Sequence, residues 1–227
     1  MRNLAMVRSL SSLAALALLL VAPTVVAAEE WTPLFGGKSL DGWEQKGGAA
    51  KYRIEGDEIV GTSVPNTSNS FMCTKKHYGD FILELDFKVH PKLNSGVQVR
   101  SQVFDEPKEV AGKKIPAGRV HGYQVEIDPS DRAWSGGIYD EGRRGWLNKL
   151  EDNEAARKAF KPGEWNTFRV ECRGDSIKTW INGVPAADLK DDMTPEGLIA
   201  LQVHGVGAET EPREVRWRNI RIQELGK

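Results

Sequence analysis

FILELDFKV, residues 81–89, alternates without a break: Phe81, Leu83, Leu85, Phe87 and Val89 take one side, and Ile82, Glu84, Asp86 and Lys88 the other. Successive side chains of an extended chain point to opposite faces, so the stretch reads as a strand with one face in a core. The same period is read in VRWRNIRIQEL, residues 215–225. Further strands are expected at 52–54, 58–62, 70–74, 96–102, 121–128, 167–172, 176–181 and 197–204, with 81–90 and 214–224 around the two long runs.

Turn chemistry separates them. Glu55-Gly-Asp57 and Arg173-Gly-Asp175 each join two strands, and Ile181-Asn-Gly-Val184 carries the Asn-Gly pair of a tight hairpin. Residues 151–160, EDNEAARKAF, alone read as a helix, with acids first and Lys158 late, as the helix dipole favours. The expectation is an all-β protein: a sandwich of two antiparallel sheets packed face to face, with one short surface helix.

Ahead of this pattern, Arg2 and Arg8 precede an apolar run that ends in small residues, with Val26 and Ala28 placed for signal-peptidase cleavage. Residues 1–28 are therefore expected to be a cleaved signal, and 29–227 a single sandwich domain, exported to the periplasm or outside the cell. Pro23 and the shortness of the run speak against a membrane span, so no membrane insertion is expected after cleavage. Removing Arg2 and Arg8 takes 31 basic side chains to 29, against 32 acidic ones, which gives no electrostatic pull towards nucleic acid. Cys73 and Cys172 lie in apolar runs, where a bridge and two buried thiols are both reasonable.

Three strands present polar side chains at alternate positions over an aliphatic backing. YQVEID, residues 123–128, sets Gln124, Glu126 and Asp128 on one face and Tyr123, Val125 and Ile127 on the other. In NSGVQVRS, Gln98 and Arg100 share a face opposite Val97 and Val99; in LIALQVHG, Gln202 and His204 share one opposite Leu201 and Val203. Gln, Arg, His and carboxylates are multidentate groups suited to sugar hydroxyls and carbonyls.

Glu126, Asp128, His204 and Arg100 are the candidates for catalysis. Gln98, Gln124, Gln202, His121, Tyr139 in SGGIYD, Arg143 in DEGRRGW and Trp146 are candidates for substrate contact, Trp146 and Trp134 by stacking. Each has a plainer alternative: a carboxylate paired with Arg100, a His closing a strand end, a solvated arginine. The connection 103–120, with Pro107 and Pro116, is long enough to be either a binding loop or a surface excursion.

No HExxH, paired CxxC, GxSxG or glycine-rich phosphate loop is present, which argues against serine-esterase and nucleotide chemistry, and no nucleotide cofactor is expected. A divalent metal held across strands by His204, Glu126 and Asp128 stays open.

WTPLFGGKSLDGWE, HYGDFILELDFKV, NSGVQVRS, GYQVEID, SGGIYD, GEWNTFRVECRGDSIKTWINGV, GLIALQVHG and VRWRNIRIQEL, in that order, resemble the bacterial 3-keto-disaccharide hydrolase family, also described as 3-keto-glucoside lyases and hydratases. The resemblance implies a concanavalin A-like jelly roll with a sugar-binding concave face. It also implies cleavage of 3-keto-glycosides: loss of the C2 proton, elimination of the C1 substituent, then hydration. A separate sugar 3-oxidoreductase would supply the ketone. Family members often carry Glu-x-Gln where this chain has Gln124-x-Glu126, so the pair is exchanged and the base is Glu126, Asp128 or His204. With Gln124 in place of a first carboxylate, a two-carboxylate retaining mechanism is poorly supported. The alternative is a lectin-like binding module on the same sandwich.

Overall fold

The computed structural model describes Met1 and residues 30–226; apart from Met1, the segment read as an export signal lies outside them. In chain order the strands are β1 Thr32–Pro33, β2 Trp43–Gly47, β3 Lys51–Glu55, β4 Glu58–Thr62, β5 Ser70–Thr74 and β6 Phe81–Val89. Next come β7 Ser95–Gln102, β8 Lys108–Val110, β9 Lys113–Ile115, β10 His121–Ile127, β11 Ile138–Glu141 and β12 Gly145–Asn148. After helix α1 Glu154–Ala159 follow β13 Asn166–Arg173, β14 Ser176–Ile181, β15 Val184–Lys190, β16 Leu198–Val203 and β17 Glu214–Glu224.

These strands form the expected sandwich. The back sheet runs β15-β14-β13-β6-β17-β4-β3, with β1 also on β17, and the front sheet runs β12-β11-β10-β7-β16-β5-β2. Phe81, Leu83, Leu85, Phe87 and Val89 of β6 meet Val97 and Val99 of β7, Tyr123, Val125 and Ile127 of β10, and Ile199, Leu201 and Val203 of β16 in one core. A fully buried side chain of this size contributes roughly 1.5–3 kcal/mol, so the face assignment of each strand is strongly held. Cys73 and Cys172 are both free and buried, and burial pushes each thiol up to about 12.

The structure departs from the sequence reading where a strand slips phase. In β17 the alternation is not continuous: Val215 and Trp217 are in the core, and so are Ile220 and Ile222. A bulge between Arg218 and Arg221, with Asn219 at φ 52°, inserts the extra residue that makes both halves apolar-inward. The helix is shorter than 151–160, because Asn153 caps it by accepting from the Ala156 amide and Phe160 turns extended. The connection 103–120 is no structureless excursion, since it contains the β8-β9 hairpin and buries Ile115.

Arg100 is the largest correction. It stands at φ 46°, in the left-handed region that side chains other than glycine rarely enter, at an irregularity in the pairing of β7 with its neighbours. The flip turns it away from the face of Gln98 and puts Ser101 there instead, donating to Gln98 Oε1 at 2.7 Å. The Arg100 guanidinium donates to Gly79 O (2.8 Å), Gly174 O (2.7 Å) and Asp80 Oδ1 (2.8 Å). A fully buried cation with all three nitrogens committed is a structural clamp. Arg100→Ala should cost about 3 kcal/mol in denaturant unfolding, because it strands two carbonyls and a carboxylate.

Candidate functional site

The centre of the front sheet presents amides and one carboxylate on the face opposite the core. Gln124 lies beside Gln98 of β7, and Glu126 beside Gly96. A Cβ on Gly96 would sit 2.5 Å from Gln124 Cδ, so glycine there is what lets the Gln124 side chain lie across the sheet. Gln124 Oε1 accepts from Gln98 Nε2 (2.5 Å) and Gln202 Nε2 (2.8 Å). With its oxygen occupied, Gln124 turns its Nε2 to Glu126 Oε2 at 2.7 Å, while Asn94 Nδ2 donates to Glu126 Oε1 at 2.7 Å.

Glu126 is only 5 % exposed. Burial pushes its carboxyl up to about 7, outweighing the two amide donors, and the nearby Asp128 charge acts in the same direction. The carboxyl is thus aimed, held at both oxygens and poised to exchange a proton near neutrality.

Around it opens a cleft of ≈ 370 Å³ lined by Asn69, Asn94, Gln124, Glu126, Arg132, Tyr139, Glu141, Trp146 and His204. His204 Nδ1 lies 2.7 Å from Gly205 O; a carbonyl can only accept, so Nδ1 carries a proton and Nε2 is the nitrogen left to meet a ligand. The Gly205 amide also donates to Asn69 Oδ1 at 3.0 Å, which leaves the Asn69 NH₂ for the cleft. Gly205 thereby orients two lining side chains at once, and a Cβ on it would meet Thr67 O at 2.7 Å.

Trp146 packs edge-on against Tyr139 (5.3 Å) and Trp134 (4.8 Å), and the Arg132 guanidinium lies over both indoles, at 5.0 Å from Trp134 and 5.7 Å from Trp146. Burial raises the Tyr139 phenol and the Glu141 carboxyl above their ordinary values.

The structure brings together Gln124, Glu126, Tyr139, Trp146 and His204 of the expected residues and places the others elsewhere. Gln98 and Gln202 are fully buried and spend their amides on Gln124, so they support the floor and do not reach a ligand. Asp128 bonds Ser130 and Arg132 at the strand end, Arg132 Nε at 3.0 Å, and so positions the arginine that covers the tryptophans. Arg143 is buried against Asp140, with Nη2 at 2.6 Å, over the core-facing ring of Tyr123. His121 is buried beside Phe104, with ring centroids 4.6 Å apart, and pushed down to about 4 by burial, with the Arg143 charge adding. It lies off the cleft, because the pairing shifts between His121 and Tyr123 and breaks the alternation that carries Gln124 and Glu126.

Asn69, Asn94, Arg132 and Glu141 were not anticipated. Glu141 follows Tyr139 by two residues on one strand and was readable by alternation, whereas Asn69 and Asn94 approach from outside the strands on either side. Among the described residues, no group of three or more His, Cys, Asp or Glu is placed to hold a metal ion, and no helix is long and apolar enough to cross a membrane.

A family model described as the 3-keto-alpha-glucoside-1,2-lyase-like domain matches residues 30–223. No curated protein matches the chain in sequence. Among solved structures, a candidate glycosyl hydrolase from Parabacteroides distasonis is similar at 21 % identity and TM-score 0.57, over 91 % of this chain and 99 % of that one. A Bacillus subtilis protein with a galectin-like fold aligns at 13 % identity and TM-score 0.58, over 86 % of this chain and 94 % of its own. A carbohydrate-binding module from the same organism aligns at 16 % identity and TM-score 0.51, over 81 % and 96 %. At these identities the likeness establishes the lectin-like sandwich fold.

The raised Glu126 carboxyl has a consequence for stability. Its proton leaves the unfolded chain near 4.5 but stays on the folded one to about 7, so the fold loses stability as pH rises between those values. The loss amounts to about 3 kcal/mol. In Glu126→Gln this component should vanish, and melting temperatures of the two proteins compared from pH 4.5 to 8 should diverge in the variant's favour as pH rises. Parallel curves would mean that Glu126 titrates at an ordinary value.

Proposed function

The chain belongs to the 3-keto-alpha-glucoside-1,2-lyase-like family, and on that premise we propose that it cleaves 3-keto-glycosides with Glu126 as the base. The observation that carries the proposal is the carboxylate itself. Glu126 is buried, gripped by Asn94 and Gln124, and shares its cleft with His204 and the aromatic pair Tyr139 and Trp146.

A ketone at C3 acidifies the C2 proton. Glu126 removes it, the C2–H electrons form the C1–C2 or enolate double bond, and the C1–O bond breaks. His204 Nε2–H protonates the departing oxygen; the neutral Nε2 then accepts a proton from the water that adds at C1, while Glu126, its abstracted proton exchanged with the water that enters as the leaving group departs, delivers a proton to C2. Nδ1 stays on Gly205 O throughout, so the ring keeps its aim in both charge states. Negative charge on the C3 oxygen needs a donor, and Arg132 is the cation that lines the cleft, where Arg100 and Arg143 do not reach. The aromatic wall takes the less polar face of the sugar ring.

An oxidoreductase acting earlier would supply the ketone, and the leader read at 1–28 would place the enzyme in the periplasm or outside the cell. Binding without turnover is the second reading, favoured by the Trp134–Trp146–Tyr139 cluster alone. A lectin has no use for a desolvated carboxyl that titrates near neutrality.

Purified protein given a 3-keto-disaccharide and its unoxidised parent should cleave only the former. Glu126→Gln should lower kcat by roughly 10²–10⁴-fold with the fold retained. The acidic limb of the kcat/KM profile should rise to about 7, as Glu126 ionises. Saturable binding with no cleavage of the ketone would establish the module instead.

A further inference from the structure

We infer that Ser101, at the far end of a chain of buried amides from Glu126, is a positioning residue: its hydroxyl fixes the direction in which Gln98 and Gln124 point, and with it the group that Glu126 meets. The inference rests on the reading of Glu126 as the base. Ser101 follows the left-handed Arg100, and two glycines make room for it. A Cβ on Gly122 would stand 2.6 Å from Ser101 Oγ, and one on Gly197 would stand 2.3 Å from Ser101 O.

A side-chain amide has a donating end and an accepting end, and in a buried floor neither can turn to water instead. An ionised Glu126 only accepts, so Gln124 must give it Nε2, at 2.7 Å, and keep Oε1 for the neighbouring strands. Gln98 and Gln202 must then both donate to that oxygen, as they do. This leaves Gln98 Oε1 in need of a donor, and the Ser101 hydroxyl supplies it at 2.7 Å. The hydroxyl has one proton to give, and its other acceptors, Tyr123 O at 3.1 Å and Val99 O at 3.3 Å, are both farther away. Gln202 cannot set the direction in its place, because Gln202 Oε1 is buried with no hydrogen-bond partner among the described residues. Ser101 is therefore the donor from which the whole chain takes its sense.

Without that hydroxyl, Gln98 Oε1 is a buried acceptor with nothing to accept from. Turning the Gln98 amide over relieves it but points Oε1 at Gln124, which must turn in its turn and present its own Oε1 to Glu126. Two acceptors then face each other unless the carboxyl carries a proton. The native direction favours a Glu126 that is ready to take a proton, and the reversed one favours a Glu126 that already holds it. The ionisable groups that face Glu126 are Asp128 and Arg132 at the end of β10 and beyond it, Tyr139 and Glu141 on β11, and His204 after β16. None of them differs between the two directions, so the amides alone carry the effect.

Ser101→Ala removes only the hydroxyl, and Gln98→Met removes the link through which it acts at nearly constant volume. The titration of the Glu126 carboxyl carbon, followed by NMR in protein labelled with ¹³C at glutamate and assigned by its absence from Glu126→Gln, reads the chain without any substrate. Its midpoint should rise by about one pH unit in Ser101→Ala. In the Gln98→Met background the same change at Ser101 should move it no further, as a residue acting through Gln98 requires. The acidic limb of kcat/KM for a 3-keto-disaccharide should shift with the carboxyl, so that Ser101→Ala loses about tenfold below the wild-type midpoint and less above it. An unmoved midpoint in Ser101→Ala, an equal shift with and without Gln98, or a loss of kcat/KM by one factor at every pH would each overturn the inference. If the wild-type protein leaves the ketone uncleaved, the reaction falls, and the carboxyl titration still decides whether Ser101 directs the chain.

Discussion

Burying Tyr123, Val125 and Ile127 in the sandwich core compels Gln124 and Glu126 to the opposite face of the same strand, and the site is built on that compulsion. Turning β10 by one residue would expose three large apolar side chains, at a cost of several kcal/mol, so the carboxylate is locked in place by packing far stronger than any contact it makes itself. The back sheet enters function in this way only. β6 and β17 supply the surface against which β10 is pressed, and β10 in turn aims Glu126.

A polar floor on a covered sheet face is costly unless its groups are paired. Gln124 solves this by accepting from two neighbouring strands and donating to Glu126, so one amide ties β7, β10 and β16 together and sets the orientation of the carboxylate. The same arrangement leaves Glu126 hydrogen-bonded to amides alone; the Arg132 charge, paired with Asp128, lowers its carboxyl by less than burial raises it, and its proton is held to about 7. Had Arg100 pointed into the cleft, the carboxylate would be paired and ionised well below neutrality. The left-handed turn at Arg100 thus serves the site by removing a cation from it.

Alternation made much of this legible. The apolar faces of β6, β10 and β16, and with them Gln124, Glu126 and His204, followed from period two. What escaped had physical causes. Arg100 and Asn219 occupy positive φ, which no pattern of residue types announces at an Arg. β15 hides behind Pro185 and a run of small residues, tolerated because it lies at the sheet edge. Asn69 and Asn94 reach the cleft from outside the strands, and Arg132 arrives from the turn after β10 through an i,i+4 pair with Asp128. Asp128 itself was read as facing the pocket, yet β10 ends at Ile127, and beyond it the side chain serves the turn.

The central claim is that Glu126 takes a proton from carbon. Incubation of the protein with a 3-keto-glucoside in heavy water, followed by NMR of the recovered substrate and product, reads that step directly. The account predicts enzyme-dependent deuterium at C2 with the wild-type protein and none above background with Glu126→Gln. Cleavage by the wild-type protein with C2 still fully protonated, or undiminished exchange in Glu126→Gln, would contradict it.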